Sequence, residues 1–368
     1  MTGRELVEAA LNHQKTERLP IDFGGRVSGI SAMVYGKVLE RMGMPGRHFD
    51  ILDSRLMLAK IDEDIMERLH VDTRYICQKA PVTWDPHWNE DHSRYIDEWG
   101  VTLGRPTGGN YYDYVDYPLK EIEEVEELEE HKWPDVSDLS RNEGILEEVR
   151  ALAEAKDPFF LTSFKGTFEQ AWSLRGMENM MMDIYINPEL FIGLMEKVLQ
   201  VQMQLYGPFL EQLAPYLGLV CFTDDVGGQH SLMISRKTYQ EFIYPFHKRL
   251  IAFIREKCPN AKVSYHCCGS IVDILDDIVA LGVDVLNPVQ TSATGMDIHY
   301  LKEKYGDKLS FWGGIDTQHL LSFADCDTVR AAIREVQTVL GAGGGYLYAP
   351  CHCIQANTPV ENIMALFE

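Results

Sequence analysis

Eight short runs rich in β-branched and aromatic residues recur along the chain, and the stretches between them are long enough to carry a helix across a sheet face. The runs are RLPIDFG (18–24), DTRYICQ (72–78), PFFLTSFKG (158–166), GLVCFTDD (218–225), KVSYHCCG (262–269), VDVLNPV (283–289), LSFWGGI (309–315) and GYLYAP (345–350). Helical patterns separate the later runs. In NPELFIGLMEKVLQVQMQLYGPF, Asn187 suits the cap, Pro188 the first turn, and Leu190, Leu194, Val198 and Leu205 one broad face, with Pro208 expected to bend or end the helix. Stretches 235–257, 270–282, 296–306 and 326–344 keep the same rhythm and several close on glycine. Eight βα alternations without a composition break predict an α/β fold, a single (β/α)8 TIM-barrel domain over 1–368, in preference to a doubly wound open sheet.

One interval breaks the rhythm. Residues 79–140 carry alternating aromatics in SRYIDEWGVTLGRPTGGNYYDYVDYPL, which predicts a β-hairpin-containing insertion over the barrel mouth after the second strand. Its Tyr111, Tyr112, Tyr114 and Tyr117 are candidates for a lid or for a solvent-facing or partner-facing surface.

Barrels of this kind place their chemistry at the carboxyl ends of the strands, and polar or glycine-rich residues fall there repeatedly. The first run ends Asp22-Phe23-Gly24-Gly25, the third Lys165-Gly166 with Glu169 nearby, and the fourth Thr223-Asp224-Asp225. The sixth ends Asn287-Pro288-Val289-Gln290 and the seventh Trp312-Gly313-Gly314-Ile315-Asp316. Asp22, Asp224 and Asp225 are candidate catalytic carboxylates, although adjacent aspartates at a strand end also serve as caps, a role that Asp316 fits as well. Gly24 and Gly25 permit close backbone approach at the mouth, and with Asn287, Gln290 and Trp312 they are candidate substrate contacts.

The fifth and eighth runs carry the strongest signal. In extended chain, residues i and i+2 face the same way, so His266 and Cys268 present imidazole and thiolate to one point while Cys267 faces the packing. Zinc accepts both donors at about 2.0–2.3 Å, and an open site needs three protein ligands plus one exchangeable position. The eighth run leads into Cys351-His352-Cys353, where either the two sulfurs or the histidine face inward, leaving Cys351, His352 and Cys353 as alternatives for the third ligand. The alternative for the whole cluster is a pair of buried polar loops without metal.

Other classes lose support. The formal charge of −22 opposes a phosphate-backbone partner, and much of it lies in the acidic run 120–135, expected as a solvated helix or loop. Neither a phosphate-binding GxxxxGK[ST] loop, a strand-linked GxGxxG, nor a GxSxG elbow occurs. The N-terminal MTGRELVEAALNHQ reads as a charged helix without a long apolar stretch, so a cytoplasmic protein with no membrane association and eight reduced cysteines is expected.

The segments ALNHQKTERLPIDFGG, TDDVGGQ, HCCGS, VDVLNPVQ, FWGGIDTQ and APCHCIQANTPVENI, in this order and over nearly the whole chain, resemble the uroporphyrinogen decarboxylase superfamily and, within it, the corrinoid-dependent methyltransferases. Decarboxylases of that family carry an arginine-rich segment after the first strand and an aspartate ending the second. Here Arg26 is the lone cation of IDFGGRVSGIS, and Cys77 and Gln78 stand near the aspartate's place, which weakens the decarboxylase reading. The methyltransferase branch uses zinc held by a His-x-Cys pair, matched by His266 and Cys268, and by a cysteine after the eighth strand, whose position is taken by His352. The resemblance thus implies zinc-dependent methyl transfer between a corrinoid (cobalamin) protein and a small molecule or thiol, with Asp224 or Asp225 orienting the substrate. Decarboxylation of a porphyrinogen or smaller acid, and a non-catalytic binding barrel, are the alternatives, and homo-oligomerisation stays open.

Overall fold

The computed structural model describes residues 1–368. A hairpin of β1 (Ile51–Asp53) and β2 (Leu58–Ala59) precedes β3 (Thr73–Tyr75). The insertion then forms a separate three-stranded antiparallel sheet of β4 (Arg94–Ile96), β5 (Thr102–Gly104) and β6 (Asp113–Asp116). Parallel strands follow: β7 (Phe159–Lys165), β8 (Leu217–Thr223), β9 (Lys262–His266), β10 (Val285–Val289), β11 (Ser310–Ile315) and β12 (Tyr346–Pro350). Together with β3 they make one curled sheet in the order β12-β11-β10-β9-β8-β7-β3, so runs two to eight are strands in sequence order.

The first run closes the ring without becoming a regular strand. Only Ile21 forms a bridge, to Tyr348. On one side Asp22 N donates to Tyr348 O at 2.9 Å and Tyr348 N to Pro20 O at 3.0 Å, while on the other Asp72 N donates to Ile21 O at 2.9 Å. Pro20 has no N–H to give and Gly24 turns away at φ 97°, so pairing cannot extend in either direction.

Side-chain parity explains what the barrel points at its mouth. Leu161, Leu219, Cys221, Val285, Trp312, Leu347 and Ala349 fill the interior as one apolar cluster. Alternate residues such as Phe160, Phe222, Tyr265 and Leu286 join the larger core between sheet and helices. Toward the carboxyl ends the inward parity reaches Lys165, Thr223, His266 and Asn287, and the register pairs these four in one row: Lys165 with Thr223, Thr223 with His266, His266 with Asn287. One layer of polar side chains therefore caps an apolar plug.

The helices follow their signals with one exception. Thr2 and Glu5 form a capping box at the first helix, and Asn187 caps the helix Pro188–Leu213 by accepting from Leu190 N at 3.3 Å. That helix runs on through Pro208 instead of ending there. Beyond the proline, Phe209, Leu210 and Leu213 are all buried. Burying each stabilises by about 1.5–3 kcal/mol, which together exceeds the roughly 3 kcal/mol cost of an interior proline. The acidic run 120–135 holds only a short 3-10 turn at Val125–Glu129. No helix is long and apolar enough to cross a membrane, and all eight cysteines are free.

Candidate active site at the barrel mouth

His266 ends β9, and its imidazole is held from behind by Asn287 of β10. Asn287 Nδ2 donates to Trp312 O at 3.2 Å, which turns Oδ1 toward His266 Nδ1 at 2.5 Å. The Nδ1 hydrogen is thereby committed, and Nε2 presents its lone pair to the mouth. There it lies 3.5 Å from Cys268 Sγ. His352 completes the group: one ligand atom from each of His266, Cys268 and His352 lies within 4.8 Å of the others.

This donor set fits zinc. With bonds of about 2.0 and 2.3 Å, a tetrahedral N–Zn–S edge is about 3.5 Å, the separation found between His266 and Cys268, and a shift of about 1 Å by His352 would bring in the longest edge. The electrostatics agree. Burial holds the His266 imidazole below its ordinary range, and burial together with His266 and Arg55 takes His352 down to about 4, so both rings are neutral, as ligands must be. Burial and the Asp225 carboxylate push the Cys268 thiol well up, so a neighbouring cation is what would make it a thiolate.

Two carboxylates flank the cluster. Glu169, in the helix Thr167–Arg175, accepts from Thr223 Oγ1 at 2.7 Å. Asp225 accepts from Cys268 N at 2.7 Å. Burial first, and repulsion from a neighbouring carboxylate second, raise each to about 6. Asp224 has a different setting. Fully buried, it accepts from Phe168 N at 3.1 Å, from Glu169 N at 2.5 Å and from His247 Nε2 at 2.9 Å. Its oxygens are occupied in capping the helix that carries Glu169 and in pairing with a buried histidine.

The remaining predicted residues scatter. Asp22 and Trp312 meet beneath the mouth rather than in it: Trp312 Nε1 donates to Asp22 Oδ2 at 2.8 Å, Thr73 Oγ1 to Oδ1 at 2.5 Å and Tyr75 Oη to Oδ2 at 3.1 Å. Trp312 has interior parity and is fully buried, so as placed it touches no mouth ligand. A Cβ on Gly25 would lie 1.9 Å from the Tyr75 ring, which makes Gly25 a packing requirement, while Gly24 borders a cavity. Gln290 accepts from Gly269 N at 2.7 Å and, with Cys268 and His352, lines a polar pocket of 240 Å³. Cys351 turns from the cluster and donates to Val289 O at 2.9 Å, and Cys353 donates to Arg26 O at 3.1 Å. Between the three alternatives for the third ligand, the geometry gathers His352. Asp316 accepts from Gln318, His319 and Leu320 N–H groups and is a cap.

On the opposite side of the mouth a cavity of about 970 Å³ opens, walled by Tyr75, Tyr95, Tyr114 and Lys165. Of the insertion's tyrosines, Tyr114 faces this cavity. Tyr112 packs with Tyr95 and Leu103 in a small separate core, Tyr117 lies over Gly176, and Tyr111 is exposed. The sequence places Lys165 and Glu169 at a strand end without marking them as a pair facing the cluster. Arg55 stands in the turn of the β1–β2 hairpin and has no sequence signal at all.

The sequence profile of the uroporphyrinogen decarboxylase (URO-D) family matches residues 95–368. Over 241 residues the chain is 26% identical to the methylated-thiol–coenzyme M methyltransferase of Methanosarcina mazei, covering 63% of this chain and 59% of that protein. Over 168 residues it is 24% identical to the uroporphyrinogen decarboxylase of Thermosynechococcus vestitus, covering 44% and 47%. The chain thus spans less than two thirds of the length of these curated relatives. The solved structure of a methyltransferase from Methanosarcina mazei superposes with a TM-score of 0.68 at 16% identity, over 100% of this chain and 97% of that one, and shares the fold.

Proposed function

Since the chain belongs to the uroporphyrinogen decarboxylase family, we propose that it is a zinc-dependent methyltransferase of that family, moving a methyl group between a small molecule or thiol and a corrinoid carried by a separate protein. The observation that carries this reading is the convergence of His266, Cys268 and His352 at the mouth, with His266 oriented by Asn287. The related methyltransferase supports the choice of reaction. His266 Nε2, Cys268 Sγ and one His352 nitrogen would hold the metal. Zinc there supplies a Lewis acid that keeps a thiol as its anion, or polarises an ether or amine donor, so that displacement at the methyl carbon proceeds at neutral pH.

The chain's own groups do the rest. Asn287 fixes the His266 tautomer. Glu169, raised to about 6, exchanges a proton with the heteroatom that loses or gains the methyl group, and Thr223 holds its Oε2 in place. Asp224 positions Glu169 through the helix terminus. The 970 Å³ cavity admits the small molecule, and the corrinoid protein docks over the mouth. The test is zinc content of protein purified without added metal, repeated on His266→Ala, alongside methyl transfer to reduced corrinoid from methoxylated and methylated donors, with CO₂ release read in parallel. Equimolar zinc that is lost in the variant, with methyl transfer, is expected. A metal-free wild type overturns the zinc mechanism, and CO₂ release without methyl transfer replaces it by decarboxylation.

A further inference from the structure

The cavity beside the cluster has an uneven charge balance. Its lining carboxylates are already engaged: Asp53 with Arg26, Glu63 with Arg74, Glu98 with Arg141, Glu148 with Lys79, Asp62 with Arg47, and Asp97 with the backbone N–H groups of Trp99 and Val101. Of the lining cations left over, Lys60 is exposed to solvent, and Arg55 and Lys165 are the half-buried pair. Neither forms an ion pair or donates a side-chain hydrogen bond, and Glu169, a carboxylate outside the lining whose charge bears on both, pairs with neither, being bonded to Thr223. Both cations bear on one ring, Arg55 Cζ at 5.3 Å and Lys165 Nζ at 5.1 Å from the centroid of Tyr114. In a chain of net charge −22, two half-buried cations without anions, brought from a hairpin turn and a strand end onto one tyrosine of the insertion, are a costly arrangement unless an anion arrives from outside.

The row of residues at the mouth sets the span. Lys165 and His266 are in register two strands apart, about 10 Å between backbones at the usual strand spacing. A single benzene ring with an anion at one end and a methyl-bearing group at the other bridges a gap of this order. The walls suit a ring, since Tyr75, Tyr95 and Tyr114 all face the cavity.

We propose that the cavity binds a small aryl carboxylate, with the carboxylate between Arg55 and Lys165 at Tyr114 and the opposite end of the ring directed at the His266–Cys268–His352 cluster. This deepens the methyl-transfer reading, on which it rests for the role of that opposite end, by naming the substrate class. The anchoring itself is testable without metal or turnover.

Calorimetric titration of the full chain with 4-methoxybenzoate, with its neutral methyl ester, and with 4-methoxybenzenesulfonate and 4-methoxyphenyl phosphate tests it. The carboxylate is expected to bind at least about tenfold more tightly than the ester, as a charge-assisted hydrogen bond implies. Arg55→Gln and Lys165→Met should each remove about that factor, with Arg55→Lys retaining most of it. Thermal midpoints of the variants matching the wild type show that the fold is intact, and either neutralising variant suffices if the other unfolds. Equal affinity for acid and ester, no binding of the acid by the wild type, or affinity unchanged in both neutralising variants overturns the proposal. Stronger binding of the sulfonate or phosphate overturns the carboxylate assignment. Carboxylate selectivity in a protein without zinc or methyl transfer would sink the methyltransferase reading and leave the anion site standing.

Discussion

On the β9–β12 side of the mouth the reactive cluster comes from the last residue of β9 and from residues two positions past the ends of β9 and β12, whereas on the β3–β7 side the cavity draws Arg55 from a hairpin turn, Tyr114 from the insertion and Lys165 from a strand. The first side is set by register: His266 and Asn287 are paired strand neighbours, so their hydrogen bond follows from the sheet itself. The second is set by how separate segments pack. Their charges differ too, with neutral imidazoles on one side and unpaired cations on the other. Register makes a rigid donor set suited to a metal and to chemistry. Packing of remote segments makes a wall whose residues can vary with the substrate.

The sharpest way to break this division is His266→Ala. Bound zinc should be lost and methyl transfer should fall by roughly a thousandfold, more than loss of an outer-shell partner produces, while 4-methoxybenzoate affinity stays unchanged. Metal analysis, initial rates and calorimetry on one preparation read all three. Weakening of benzoate binding in parallel would show the two sides to be one.

Asp224 stands at the seam between them, and Asp224→Ala is the next largest effect. It strips the partner from His247 and from two backbone N–H groups in a fully buried place, which should destabilise the chain by about 3–5 kcal/mol in urea unfolding. A change below about 1 kcal/mol would remove Asp224 from the structural role assigned to it.

The same division explains what could be read from the chain. Strands and their order follow from local β-prone runs, and the i, i+2 rule puts His266 and Cys268 on one face because both lie in the same short segment. Parity does not carry past Pro350, where the backbone leaves the strand: Cys351 and Cys353 turn to carbonyls of Val289 and Arg26, and only the fold selects His352. Trp312 looks like a mouth residue in sequence, yet one step of parity and depth sends it to Asp22 inside the barrel. Arg55 is illegible because its meaning lies in the absence of a partner, which depends on every other charge in the cavity.

Asn287→Ala probes the rigid side alone. With the Nδ1 partner removed, His266 can rotate and change tautomer, so zinc affinity should drop tenfold to a hundredfold in competition with a chelator. Methyl transfer at saturating zinc should recover much of its rate, and the benzoate site should not respond. Undiminished zinc affinity would show that the sheet register alone positions the imidazole.

The smallest effect concerns the carboxylates between the two sides. Glu169 and Asp225 hold their protons to about pH 6, above ordinary values of 4.5 and 3.8. The folded chain therefore binds more protons than the unfolded chain between about pH 4 and 6, and stability falls as pH rises through that window. The contribution is present in full below the unfolded values and gone above about 6. Glu169→Gln removes one of the two charges and should flatten the fall by on the order of 1 kcal/mol, read by urea unfolding of chelator-treated protein at pH 4.5 and 7. Because Glu169 lies in the helix capped by Asp224, a steeper slope in the variant would mean that its carboxylate gains more from Thr223 than it loses to Asp225, and the proton exchange assigned to Glu169 would belong to another group.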